Sequence, residues 1–193
     1  MKNMQKAVFL DRDGVINRKA PEGEYVTCWE QMDFFPGAAH AIALLNRAGF
    51  RVIVISNQRC VAKGLITRTG VERLHDRMRH ALSLAGAIVD AIYYCPHEKD
   101  DHCHCRKPQP GMLLRAKQEH GIDLAASWMI GDSETDVEAG RSAGCRTARL
   151  LQDAPETGSR ADLFATFLLE ATRKILELER REQEKPVGER RYA

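Results

Sequence analysis

Val8 to Gly14 read V-F-L-D-R-D-G. An apolar run ends there in two carboxylates, Asp11 and Asp13, spaced two apart before a glycine. Alternate side chains of an extended chain share a face. A strand over Ala7–Leu10 would therefore set both carboxylates on one side of a turn opened by Gly14. Such a pair can divide labour, one carboxylate attacking phosphorus while the other moves a proton. An ordinary acidic turn has the same composition, so the rest of the chain must decide.

Outward from this point, short buried-looking runs alternate with helical stretches. Residues 51–55 (R-V-I-V-I), 88–94, 128–130 and 146–150 read as further strands. Residues 36–49 place Ala39, Ile42, Leu45 and Ala48 on one helical face, with Gly49 as the stop. Residues 67–85, 111–120 and 136–143 read as helices as well. This alternation predicts an α/β fold, a Rossmann-like parallel sheet with helices on both faces. Ligands of such sheets bind beyond the carboxyl ends of the strands. Asp11 and Asp13, Ser56 and Asn57, and Asp132 all follow predicted strands, so three strand ends aim polar groups at one rim.

The 193 residues carry 29 basic and 27 acidic side chains, a net charge of +2. That balance gives no electrostatic reason to expect nucleic acid or a membrane surface as partner. The apolar run near the N-terminus is too short for a signal peptide. No segment approaches the roughly 20 apolar residues of a membrane span. A cytoplasmic protein is the default expectation, and a monomer likewise. Residues 1–172 are expected to form a single domain. From residue 173 on, R-K-I-L-E-L-E-R-R-E-Q-E-K suggests a charged helix, followed by a frayed tail.

Six cysteines are unevenly spread. Cys28, Cys60 and Cys145 stand alone, whereas Cys95, Cys103 and Cys105 crowd together with His97, His102 and His104. Clustered Cys and His in an intracellular chain suggest a metal more than a disulfide. Cys95, His97, Cys103 and Cys105 would complete a closed, tetrahedral zinc site, with His102 or His104 able to replace His97. Four protein ligands leave no open position, so this zinc would pin a loop. Arg106 and Lys107 leave that loop directly.

Four pieces occur in order: Asp11-Arg12-Asp13-Gly14, Ser56-Asn57-Gln58, Arg106-Lys107-Pro108, and Gly131-Asp132 with Asp136. Over roughly residues 7–150 this order and spacing resembles the haloacid dehalogenase (HAD) superfamily of phosphatases. The resemblance implies that Asp11 is the nucleophile, forming an aspartyl-phosphate, and that Asp13 is the general acid and base. It implies Mg²⁺ held by the Asp11 carboxylate, the Asp13 backbone carbonyl and Asp132. Lys107, the Ser56 hydroxyl and nearby backbone N–H groups would neutralise the phosphoryl oxygens. Asp136 would orient Lys107 or a metal-bound water.

The run C-P-H…C-x-C-R-K-P narrows the likeness to the branch containing the D-glycero-D-manno-heptose-1,7-bisphosphate 7-phosphatases, and Y-Y-C-P-H with C-R-K-P-x-P-G-M-L-L favours those enzymes. Its sibling is the phosphatase domain of histidinol-phosphate phosphatase. The resemblance implies a phosphorylated sugar as partner and a link to heptose and lipopolysaccharide metabolism. It also implies a substrate site lined by Asn57, Gln58, Arg59 and Arg106, with the loop around residues 18–23. Ser133 follows Asp132 where some members carry lysine, so one cation near the substrate is missing; Arg59 is a candidate to replace it. No large cap domain fits between the motifs, which leaves specificity to loops. Hydrolysis of histidinol phosphate or another small phosphomonoester is the alternative. A phosphate-accepting regulatory domain needs no acid two residues after its aspartate, so Asp13 speaks for an enzyme.

Overall fold

The computed structural model describes residues 4–152 and 158–184. In chain order its elements are β1 (Ala7–Leu10), α1 (Ala38–Arg47), β2 (Arg51–Asn57), α2 (Arg68–Leu84), β3 (Ala91–Cys95), α3 (Gly111–His120), β4 (Trp128–Gly131), α4 (Glu134–Ala143), β5 (Arg146–Leu150), β6 (Leu163–Ala165) and α5 (Leu168–Glu184). The strands make one parallel sheet in the order β3-β2-β1-β4-β5-β6. The chain steps outward from β1 to β2 and β3, then crosses back to lay β4 on the other side of β1. That reversal opens a crevice at the carboxyl ends of β1 and β4. Leu10 lies level with Val54 on one side and Ile130 on the other, so Asp11 and Asp132 emerge beside each other.

The strands are buried on both faces, as their near-continuous apolar runs require. Val8, Leu10, Val52, Val54 and Ile130 turn to the core shared with α1, α2 and α5. Their neighbours Ala7, Phe9, Ile53, Ile55 and Met129 turn to the core shared with α3 and α4. The strand period of two thus sorts one sequence into two cores.

Helix boundaries follow local chemistry. Thr67 caps α2 by accepting a hydrogen bond from the Gly70 N–H at 3.0 Å. Ser133 opens α4, and Asp136 three residues on accepts from the Ser133 N–H, so this helix begins two residues earlier than its apolar pattern suggests. β3 begins at Ala91, not residue 88. Asp90 is occupied before it, accepting from the Val52 N–H and from Arg51. β6 escapes sequence reading because three residues carry no period.

The charged helix also begins earlier than residue 173. Leu168, Ala171, Thr172 and Ile175 form its buried stripe, and the helix packs on α1. One continuous helix therefore runs through the division expected at residue 172. The tail expected beyond it, residues 185–193, lies outside the described residues. Between Asp13 and the start of β2 lie only loops, one 3-10 turn (Trp29–Gln31) and α1, leaving no room for a large cap. Among the described residues, no helix is long and apolar enough to cross a membrane.

Candidate active site

Asp11, at the end of β1, accepts an ion pair from Nζ of Lys107 at 2.9 Å. The same ammonium lies 2.6 Å from Asp136 on α4 and donates to the Ile55 carbonyl of β2 at 2.8 Å. Lys107 is buried with all three partners around it. Burial opposes its charge, but Asp11 and Asp136 outweigh burial and push its pKa upward. Burial, opposed by Lys107 and reinforced by Asp136 and Asp132, raises Asp11 to about 7. Asp136 spends its other oxygen on the Ser133 hydroxyl and N–H, at 2.6 and 3.1 Å. It is thereby fixed to face Lys107.

Asp13 sits in a cage. Arg12 grips both its oxygens, with Nε at 3.1 Å and Nη2 at 3.0 and 2.8 Å, while Asn17 and Gln58 donate at 2.9 and 3.1 Å. Burial would raise its pKa, but Arg12 and these hydrogen bonds hold it below the usual carboxylate range. Arg12 is itself buried, its Nη1 3.1 Å from Nε2 of His75 on α2.

Carboxylate oxygens of Asp11, Asp132 and Asp136 converge within 4.8 Å of one another. Oδ1 of Asp132 is buried with no hydrogen-bond partner among the described residues. Oδ2 of Asp132 lies 2.5 Å from Nζ of Lys19. Crowded carboxylates with one orphaned oxygen fit a hard, oxygen-seeking cation such as Mg²⁺. Gly14 makes the approach possible. With φ at +91°, it sits where a Cβ would lie 1.9 Å from Oδ2 of Asp132.

The ligand atoms of Cys95, His97, Cys103 and Cys105 all lie within 4.8 Å of one another. Sγ of Cys103 lies 3.6 Å from Cys95 and 3.5 Å from Cys105, and Nδ1 of His97 lies 3.5 and 3.2 Å from Cys95 and Cys105. Zn–S bonds of about 2.3 Å give tetrahedral edges of about 3.8 Å, so the four groups fit zinc with little adjustment. Burial, then the neighbouring thiols of Cys95 and Cys103, push Cys105 up to about 12. Three thiolates cannot share this space without a cation between them. His102 and His104 are not part of the converging group.

An open cavity of about 330 Å³ covers Asp11, Asp13, Ser56, Asn57, Gln58, Lys107, Asp132 and Asp136, and the loop from Lys19 to Val26 forms its wall. Asn57 faces Lys107: its amide accepts from the Lys107 N–H and donates to the Lys107 carbonyl, both at 3.1 Å. Gln58 is buried, tying Asp13 to the Ser56 hydroxyl. Arg106 lines an adjoining cavity of about 730 Å³, its Nη1 donating to the His97 carbonyl at 3.2 Å. Arg59 does not line the cavity beside Asp11. It pairs instead with Glu98 of the cysteine loop, forming a strut between two loops. Sequence reading missed Arg12, Asn17 and His75, and reached Lys19 only as part of the loop around residues 18–23. Only Asn17 carried a signal, an Asx-type residue just after the turn.

Comparison with known proteins agrees with this geometry. A family model described as HAD-hydrolase-like matches residues 104–166. The chain is 40% identical over 139 residues to the D-glycero-beta-D-manno-heptose-1,7-bisphosphate 7-phosphatase of Pseudomonas aeruginosa, covering 72% of this chain and 77% of the relative. It is 35% identical over 192 residues to the Escherichia coli K12 protein of the same name, covering 94% and 96%. A crystal structure of D,D-heptose 1,7-bisphosphate phosphatase from B. bronchiseptica, complexed with magnesium and phosphate, superposes with a TM-score of 0.79 at 34% identity, covering 90% of this chain and 99% of that one. Sheet order, strand-end carboxylates and these likenesses converge, and the chain belongs to the HAD-like phosphatases, in the family of the heptose-1,7-bisphosphate 7-phosphatases.

Proposed function

We propose that the protein removes the 7-phosphate of D-glycero-β-D-manno-heptose 1,7-bisphosphate through an aspartyl-phosphate on Asp11. The observation that carries this reading is the buried Lys107 ammonium, held between Asp11 and Asp136 at the strand-end crevice. An oxygen of Asp11 attacks phosphorus, the bond from phosphorus to the sugar oxygen breaks, and Asp13, in its protonated form, gives its proton to that oxygen and becomes the carboxylate. Water then attacks the phosphorus, Asp13 takes its proton, and phosphate leaves as the Asp11 carboxylate is restored. The cage of Arg12, Asn17 and Gln58, which favours ionised Asp13, suits this second half. Lys107 and the buried Ser56 hydroxyl face the phosphoryl oxygens.

Mg²⁺, held by the Asp11 and Asp132 carboxylates and the Asp13 backbone carbonyl, supplies the positive charge that lets a phosphate dianion approach a carboxylate. Cys95, His97, Cys103 and Cys105 would hold zinc, which would fix the loop that delivers Arg106 and Lys107. Arg106, in the adjoining cavity, is placed to read the far end of a bisphosphate.

The test is phosphate release with Mg²⁺ from both anomers of the heptose bisphosphate, beside histidinol phosphate and fructose 1,6-bisphosphate. The reading expects roughly 100-fold higher kcat/KM on the β anomer, about 2.7 kcal/mol of discrimination. Comparable weak rates on all four would sink the substrate assignment. Asp13→Asn should abolish turnover, and unchanged release would remove Asp13 from the mechanism.

A further inference from the structure

Lys19 lies on the wall of the cavity, in the loop that follows the nucleophile turn. Its side chain runs across Gly14: a Cβ built there would come within 2.8 Å of Lys19 Cε. Its Nζ ends 2.5 Å from Oδ2 of Asp132. Half the side chain is exposed, at 53%, whereas Asp132 is almost covered. Lys19 thus occupies, with a tethered ammonium, space beside the carboxylate assigned above to a divalent ion.

Among the described residues, the other cations near Asp11 are already committed. Lys107 is held by Asp11, Asp136 and the Ile55 carbonyl. Arg12 is buried and spent on Asp13. Arg59 is bound to Glu98, outside this cavity. Ser133, beside Asp132, has no charge, and its hydroxyl donates to Asp136 at 2.6 Å. Lys19 alone combines a place on the cavity wall, a flexible four-carbon stem and a single ion-pair partner among the described residues.

We propose that Lys19 is a substrate-binding cation with two partners, Asp132 when no divalent ion is bound and the phosphoryl oxygens once a divalent ion occupies Asp132. The proposal rests on the reading of Asp11 as phosphoryl acceptor. A divalent ion on Asp132 repels the ammonium, and an arriving dianion offers it a charge-assisted hydrogen bond in exchange. The cation missing at position 133 is thereby supplied from the opposite wall.

The test compares wild type, Lys19→Met and Lys19→Arg, all with the cysteine site intact. Calorimetry titrates Mg²⁺ into protein stripped of magnesium, then inorganic phosphate into the Mg²⁺-saturated protein. Lys19→Met should bind Mg²⁺ about 3- to 10-fold more tightly, because a competing cation is gone. It should bind phosphate about 10- to 100-fold more weakly, with KM raised in the same direction. Lys19→Arg should retain most of the phosphate affinity. Phosphate affinity within twofold of wild type in Lys19→Met, or an unchanged Mg²⁺ affinity, would overturn the proposal. Wild type that binds no phosphate even with Mg²⁺ would instead overturn the phosphatase reading beneath it.

Discussion

His75 is buried on α2 beside a guanidinium that is always charged. Arginine can only donate, so Nε2 of His75 accepts and the ring proton is assigned to Nδ1. Burial first, and the charge of Arg12 second, lower its pKa to about 3 against an ordinary value of 6.5. Between those values the unfolded chain takes up a proton that the folded protein refuses. Stability contributed by neutral His75 is thus present above pH 6.5 and is lost as the pH falls below it. The slope is up to about 1.4 kcal/mol per pH unit. Urea unfolding between pH 7.5 and 5 should show this fall, and His75→Gln, which can still accept from Arg12, should flatten it. Equal slopes in both proteins would mean that His75 does not titrate this way. Such pairs are illegible in a sequence. Arg12 and His75 are 63 positions apart, and an arginine between two aspartates reads as surface charge. Asp11, Lys107, Asp132 and Asp136 were legible because each stands in a run whose strand or turn character is local. Arg59 pairs with Glu98, 39 positions away on another loop, and no local pattern reveals such a partner.

At the scale of elements, the strands and helices around the crevice are readable because two periods, 2 and 3.6, separate cleanly here. The strand at 88–94 shifts because Asp90 serves β2, a tertiary use that no window of sequence reveals. The cysteine loop is the element with most leverage on the site. It leads from β3 to Lys107, whose backbone is held on both sides by Asn57. Metal-bound loops of this kind lose their order when the ion goes. Elemental analysis should find one zinc per chain. Cys105→Ser should lose it and lower kcat/KM about tenfold or more at saturating Mg²⁺, through a loosened Lys107. A zinc-free Cys105→Ser protein with full activity would make the cluster irrelevant to turnover.

For the molecule as a whole, α5 covers the sheet face it shares with α1. Ile175 is fully buried in the core shared with α1, and Glu179 anchors the same helix to Lys6 at 3.0 Å and to Arg146. Ile175→Ala should cost about 2–4 kcal/mol in urea unfolding and leave kcat unchanged. A change in kcat would show that α5 communicates with the rim. The helix's buried stripe was hard to see in the sequence because its charged residues outnumber its apolar ones. The strand-end carboxylates collect at the carboxyl edge of the sheet, where the cavity wall also carries Glu22 and Glu24. Carboxylates there outnumber ammonium groups, and Arg12 is cancelled by Asp13. These side chains on their own would therefore repel a phosphate dianion. On the proposed reading, occupancy would acquire a direction, with the divalent ion before the sugar phosphate. In steady state the free metal concentration sets what fraction of the enzyme can accept substrate, and an apparent KM has meaning only alongside it.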